Sequence, residues 1–179
     1  MKKKGLIVML VVSTLVLFTS PVAALGGLLE ELNPLAETRV GLIEGYLGGS
    51  SNQLDFVDNS VSGVYGGLRR WVLEDLAVGG EVEYLTTDGL TKEDDEVDIS
   101  LTGVLGTATI MIEESINLVG SVGYYSEDQD SDIGYKTGIE AKLLGSDLSL
   151  VARGGYRFLE LGDDDYSGLE FGGNLMLEF

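Results

Sequence analysis

The chain has 179 residues with 30 acidic and 11 basic side chains, a formal charge of −19, and neither cysteine nor histidine. An acidic excess of this size repels polyanions and argues against nucleic acid as a partner. Without Cys or His there are no disulfides, no Ser-His-Asp or Cys-His nucleophile and no zinc site of ordinary ligands.

Met1-Lys2-Lys3-Lys4 leads into the apolar run Leu6 to Phe18 and then into Pro21-Val22-Ala23-Ala24. A basic start, a short apolar core and small residues read as a secretory signal over residues 1–24, cleaved after Ala24. The core is too short to hold a helix across about 30 Å of hydrocarbon. Cleavage takes away three lysines and no acid, so the mature chain is more acidic still. Residues 25–37 place Leu25, Leu28, Leu29 and Leu32 at helical spacing before Pro34, as one short amphipathic helix or as a leader at the mouth of the domain. No later apolar run is long enough for a helical span, so a mature chain in a membrane must be a closed barrel.

Residues 38–179 form that domain. From Thr38 the pattern alternates, predicting eight strands over 38–48, 61–72, 77–87, 96–111, 116–126, 133–144, 148–160 and 167–179. The links after the second, fourth and sixth strands are short: Leu73 to Leu76, Ile112 to Ser115 and Gly145 to Asp147. The others, Gly49 to Ser60, Asp88 to Asp95, Glu127 to Asp132 and Leu161 to Tyr166, are longer and polar. Up-and-down connectivity then gathers the short turns at one end and the long loops at the other, the layout of outer-membrane barrels. Both prolines, Pro21 and Pro34, precede the first strand, leaving every later residue able to donate to a ladder.

Charge repeats on one face of these strands. In the seventh, Leu148, Leu150, Ala152, Gly154, Tyr156 and Phe158 alternate with Ser149, Val151, Arg153, Gly155 and Arg157. A charge facing lipid near the bilayer centre costs about 2–4 kcal/mol, so the charged face points inward. The interior set is Glu44, Arg70, Glu81, Glu83, Lys136, Glu140, Lys142, Arg153, Arg157, Glu170 and Glu178, expected to pair into a plug, with Arg153 or Arg157 reaching Glu170 or Glu178 and Glu44 coming beside the last strand. In the second strand Arg69 and Arg70 are adjacent and cannot both face inward. Our assignment directs Tyr65, Gly67, Arg69 and Trp71 to lipid, with Arg69 snorkelling and Trp71 at headgroup level. Tyr65, Tyr84, Tyr124, Tyr135, Tyr156 and Phe179 would complete the aromatic girdles. Leu169, Phe171, Leu175, Leu177 and Phe179 share the lipid face of the last strand.

Catalysis finds little support. Glycoside hydrolysis by the carboxylate pairs Glu81/Glu83 and Glu93-Asp94-Asp95-Glu96 needs a cleft and a proton donor of raised pKa, neither of which scattered acids in a sequence show. Asp128-Gln129-Asp130-Ser131-Asp132 begins like a calcium loop, but Ile133 and Ile139 stand where Gly and Glu are required. The loop acids Asp88, Glu93, Asp94, Asp95, Glu127, Asp128, Asp130, Asp132, Asp163, Asp164 and Asp165 are expected to form an anionic crown holding divalent cations weakly. No cofactor and no metal site are expected.

Strand count, loop asymmetry, signal and terminal Phe together make the chain resemble the small eight-stranded bacterial outer-membrane barrels typified by OmpX and the OmpA membrane domain. The residues closest to that pattern are Gly155-Tyr156-Arg157-Phe158 and Leu175-Met176-Leu177-Glu178-Phe179. The resemblance implies an all-β, eight-stranded antiparallel up-and-down transmembrane barrel, exported through the inner membrane and lodged in the outer membrane as a monomer. Its partners would be outer-membrane lipids and the barrel assembly machinery, which would read Phe171, Leu175, Leu177 and Phe179 as an assembly signal. It implies a structural or surface-interaction role in envelope integrity or adhesion, without catalysis. Two alternatives stay open: a narrow pore for water, ions or small solutes, and a soluble lipocalin-like barrel with its faces inverted.

Overall fold

The computed structural model describes residues 39–179 except 56–59, 93–94, 128–129, 146 and 163, and among them not the side chains of 88–98. The signal and leader expected over 1–37 lie outside the described residues.

Among the described residues ten strands follow one another: β1 Ile43–Leu54, β2 Ser60–Trp71, β3 Leu76–Lys92, β4 Asp95–Glu113, β5 Ile116–Glu127, β6 Asp130–Leu144, β7 Leu148–Phe158, the two-residue β8 Glu160–Leu161 and β9 Asp164–Asp165, and β10 Gly168–Glu178. Eight of them close a barrel in the order β1-β10-β7-β6-β5-β4-β3-β2, while β8 and β9 pair only with each other. All ladders are antiparallel, and the seam runs from Glu44↔Glu178 to Leu54↔Gly168. This is the expected eight-stranded up-and-down barrel. Closure leaves no strand edge unpaired along the wall.

The ends differ from expectation. β1 starts at Ile43 rather than at 38, because Gly41 turns the chain with a φ of 97° and donates its N–H to the Trp71 carbonyl. It then continues through the polar stretch Ser50 to Gln53, expected as loop. Inward alternation persists there, and the Asn52 amide donates to the Ser50 hydroxyl at 2.9 Å. β3 and β4 run on to Lys92 and Asp95, and β5 and β6 to Glu127 and Asp130. Two of the four expected long loops are therefore hairpin extensions. The asymmetry between the ends rests mainly on the β7–β10 connection, which folds into the β8–β9 hairpin. At the other end Gly145 holds a φ of 102°, and a Cβ there would run into the Leu148 carbonyl.

Alternation sorts the side chains. Outward stand Leu47, Val64, Leu68, Val82, Val122, Ile133, Ile139, Leu150, Phe171, Leu175 and others, all exposed and aliphatic or aromatic. Inward stand the charges. The lipocalin alternative needs the opposite arrangement, and the faces exclude it.

The interior is layered. At the turn end lie Trp71 and Ala77, and around the middle lie the charged residues with Tyr46, Tyr65, Val151 and Met176. At the loop end an apolar layer of Leu54, Val61, Leu85, Ile99, Leu101, Leu105, Tyr125, Leu159, Leu161 and Tyr166 fills the bore.

Candidate functional site: the charged interior

Inward positions recur every second residue, so each strand can deliver two charges about 7 Å apart along the axis. β3 delivers Glu81 and Glu83, β7 delivers Arg153 and Arg157 one inward position further apart, β6 delivers Lys136 and Glu140, and β10 delivers Glu170. All seven are buried. Inward-facing glycines leave room for them: at Gly67 a Cβ would stand 2.6 Å from the Tyr46 hydroxyl, which reaches past it to Glu81.

Three cations and three carboxylates form the larger cluster. Lys136 Nζ lies 3.1 Å from Glu81, 2.5 Å from Glu83 and 2.8 Å from Glu170. Arg153 Nη1 lies 2.5 Å from Glu81, and its Nε 3.7 Å from Glu170. Arg157 Nη2 bridges Glu83 at 2.9 Å and Glu170 at 3.3 Å. Every carboxylate meets two cations or more, the condition under which buried charge is tolerated. Aromatic rings also lie against the cations: Arg153 is 5.1 Å from the Tyr65 ring centre and Arg157 5.7 Å from that of Tyr125.

The second cluster is built on a residue placed elsewhere from sequence. Arg69 is 3 % exposed and points inward, its Nε 2.5 Å from Glu44 and its Nη1 2.6 Å from Glu140 and 3.1 Å from the Thr109 hydroxyl. The facing assigned to β2 is therefore inverted. Tyr65, Arg69 and Trp71 are buried, and Arg70 is the half-exposed neighbour at the turn-end rim. The signal for this was present in the strand's aliphatic residues, since Val64 and Leu68 share a face and both stand exposed. Aromatic content was the wrong guide. Trp71 lies under the Arg39 guanidinium at 5.3 Å rather than in a headgroup girdle, whereas Tyr84, Tyr124, Tyr135 and Phe179 are exposed on the outside. Tyr156 is half-buried.

Register decides the remaining pairs. Arg153 and Arg157 stand opposite Gly172 and Gly168, so Glu170 falls between them. Glu178 lies far down the same strand and pairs with Lys142 at 2.9 Å near the turn end, where both are part-exposed. Glu44, opposite Glu178 across the seam, takes its cation from its β2 partner Arg69. Of the expected interior residues, Arg70 is the one that makes no ion pair among the described residues.

On β10, Phe171, Leu175, Leu177 and Phe179 face outward, Phe179 at 71 % exposure. The Phe179 main chain is paired all the same, donating to the Ile43 carbonyl at 2.9 Å and accepting from its N–H at 3.3 Å.

At the loop end Glu127 accepts the Ser100 N–H at 2.8 Å and the Tyr166 hydroxyl, tying the β7–β10 connection to the β4–β5 wall. Ser167 reinforces it, accepting from Leu159 N at 3.0 Å. Burial, then the Glu127 carboxylate, push the Tyr166 phenol above its ordinary range. Among the described residues no three acidic side chains converge as a metal site. Of the expected crown, the side chains of Asp88, Glu93, Asp94, Asp95, Asp128 and Asp163 lie outside the described residues.

Sequence reasoning missed the apolar layer. β4 carries it with Ile99, Leu101 and Leu105 inward and Ser100 and Thr102 outward, a reversal of the apolar-outward rule confined to the loop end.

No family model and no curated protein sequence matches the chain. Among solved structures it is similar to Neisserial surface protein A, at 11% identity over 77% of this chain and 96% of that one, with a TM-score of 0.55. It is also similar to the attachment invasion locus protein Ail of Yersinia pestis in complex with the heparin analogue sucrose octasulfate, at 18% identity over 77% and 96%, with a TM-score of 0.51. At these identities the likeness establishes the barrel architecture.

Proposed function

We propose that the chain is an integral outer-membrane barrel with a structural or surface-interaction role, in envelope integrity or adhesion, and without catalysis. The observation that carries this reading is the inverted distribution of side chains, aliphatic outside and ionic inside. From Leu169 to Phe179 the outward face of β10 covers about 25 Å along the axis at about 3.4 Å rise per residue and about 40° tilt, the height of a lipid-facing band. The ion pairs and the apolar layer act in series as a plug, so the barrel serves through its wall and ends. Fractionation tests the location: the protein should stay with membranes through high-salt and carbonate washes and run faster on gels when unheated. Release into the soluble fraction by salt alone would sink the reading.

The loop end of this chain is acidic, and the Yersinia neighbour was solved in complex with a heparin analogue, sucrose octasulfate. Asp55, Glu127, Asp130, Asp132, Glu160, Asp164 and Asp165 lie there without a basic residue among the described side chains. Polyanionic glycans would be repelled. We therefore assign to this end contacts with neutral or cationic surfaces, and with lipid phosphates only through weakly held divalent cations. A narrow pore remains the second reading, favoured by one feature: among the described side chains, those turned inward from Ile99 to Thr109 on β4 and from Asn117 to Tyr125 on β5 are uncharged.

A further inference from the structure

Arg69, Lys136, Lys142, Arg153 and Arg157 each meet a carboxylate. The other basic side chains described, Arg39 and Arg70, make no ion pair among the described residues, in a chain with 30 acids against 11 bases. Both lie at the turn end of β1 and β2. The Arg39 carbonyl accepts the Leu42 N–H, closing a turn in which Gly41 has a φ of 97°. A Cβ on Gly41 would stand 3.7 Å from Arg70 Nη2, so the Arg70 guanidinium lies against that turn. The Arg39 guanidinium sits 5.3 Å from the ring centre of Trp71, the residue after Arg70. One turn thus gathers two like charges, while the neighbouring carboxylates Glu44 and Glu178 are turned inward and answered by Arg69 and Lys142.

A second observation concerns the side of the wall on which Arg70 stands. It shares the outward face of β2 with the exposed Val64 and Leu68, and its register partners are the exposed Ile43 on β1 and Val78 on β3. Phe179, whose main chain pairs with Ile43, stands exposed one strand further on. The guanidinium is therefore rooted in the apolar band and reaches its edge, where a long cationic side chain meets lipid headgroups. Its Nε is buried without a hydrogen-bond partner. Compensation for the water lost there has to come from outside the protein.

We propose that this rim binds the phosphate of a phospholipid in the leaflet at the turn end. Arg70 presents its Nη groups to the phosphate oxygens, a planar fork that matches phosphate geometry. Arg39 adds a second positive charge from the mouth side of the same turn. The acyl chains lie along Ile43, Leu68 and Phe179, of which Leu68 and Phe179 close over Gly45, 3.2 and 3.3 Å from where a Cβ would stand. Two cations against one phosphodiester favour an anionic headgroup such as phosphoglycerol, which has no ammonium for them to repel. The loop end has no basic residue among its described side chains and offers no such direct contact, so the two ends of the barrel address lipid differently. The inference rests on the membrane reading given above.

The test uses the purified chain refolded in maltoside micelles, with folding checked by gel mobility, and counts lipids retained on it by native mass spectrometry. Dioleoyl phosphatidylglycerol is compared with dioleoylglycerol, which has the same chains and no phosphate, and with the soluble headgroup glycerophosphoglycerol as competitor. Retention of the phospholipid well above that of dioleoylglycerol is expected, unaffected by the soluble headgroup at equal concentration. Arg70→Gln should lower retention roughly tenfold, and Arg39→Gln by a smaller factor. Equal retention of both lipids would overturn the proposal, as would unchanged retention in Arg70→Gln. Displacement by equimolar soluble headgroup would make the site one for free phosphate and overturn the lipid assignment. Should Arg70→Gln fail to refold, the comparison of the two lipids on the natural chain decides. A chain that fractionates as an integral barrel yet retains both lipids alike loses this inference and keeps the function proposed above.

Discussion

Arg69 and Glu44 face each other across the β1–β2 ladder as register partners, with Nε 2.5 Å from Oε2 and both side chains almost wholly inside the barrel. Arg70, the next residue, stands opposite Ile43 on the other side of the wall. One residue of register therefore separates a buried guanidinium from a rim charge.

The difference between the two arginines is directly measurable. Arg69→Ala leaves Glu44 and Glu140 without their shared cation and should cost about 3–5 kcal/mol. Arg70→Ala removes a half-exposed side chain and should stay within about 0.5 kcal/mol. Urea midpoints in micelles check both, and equal losses would return β2 to the opposite facing.

Arg153→Ala leaves Glu81 with Lys136 as its one cation and weakens the hold on Glu170. A loss of about 3 kcal/mol is expected, with a lower temperature for the gel-mobility shift. An unchanged transition would mean that the larger cluster does not contribute to holding the barrel.

Conductance separates plug from pore. In planar bilayers the natural chain should show no discrete current steps. Leu101→Ser together with Leu105→Ser opens the apolar layer but leaves the larger ion-pair cluster, so this variant should also stay closed. Discrete steps in the natural chain would favour the pore.

The connection over the loop-end mouth should loosen in alkali. The Tyr166 phenol is held neutral in the folded chain, above its ordinary value of about 10, so its contribution is complete below that pH and is lost as pH rises past it. Amide exchange at Leu159 to Ser167 should accelerate above pH of about 10. Tyr166→Phe, which lacks the bond to Glu127, should show faster exchange already at neutral pH.

Deleting Phe179 removes two main-chain bonds at the end of the seam and an exposed ring. Refolding in micelles should suffer by about 1–2 kcal/mol, while insertion by living cells should fall far more. Equal losses in both assays would assign Phe179 a purely structural role.

Much of the barrel is legible along the chain. Period-two alternation in β7 and β10 needs no partner to be recognised, and wherever charge sits on one face of a strand the other face is the one that can meet lipid. So the inward placement of Glu81, Glu83, Lys136, Glu140, Arg153, Arg157 and Glu170 follows from local pattern. β2 resisted because it carries an arginine on each face, and local pattern then offers two answers of similar standing.

Pairing is different. Which carboxylate meets which cation depends on the stagger between strands, a property of the closed sheet rather than of any segment. That stagger sends Glu170 between two arginines, gives Glu178 to Lys142 and sets Glu44 against Arg69. The apolar layer escaped for a related reason. Ile99, Leu101 and Leu105 look like lipid-facing residues until the barrel closes and the mouth must be filled from within. Sequence alone determined the strands, their number and the sense of most faces, because side-chain alternation is a local consequence of the pleat. The sharing of Arg69 by Glu44 and Glu140, the six-residue ion cluster above it and the sealed mouth were decided by tertiary structure, because each exists only between strands far apart in the chain.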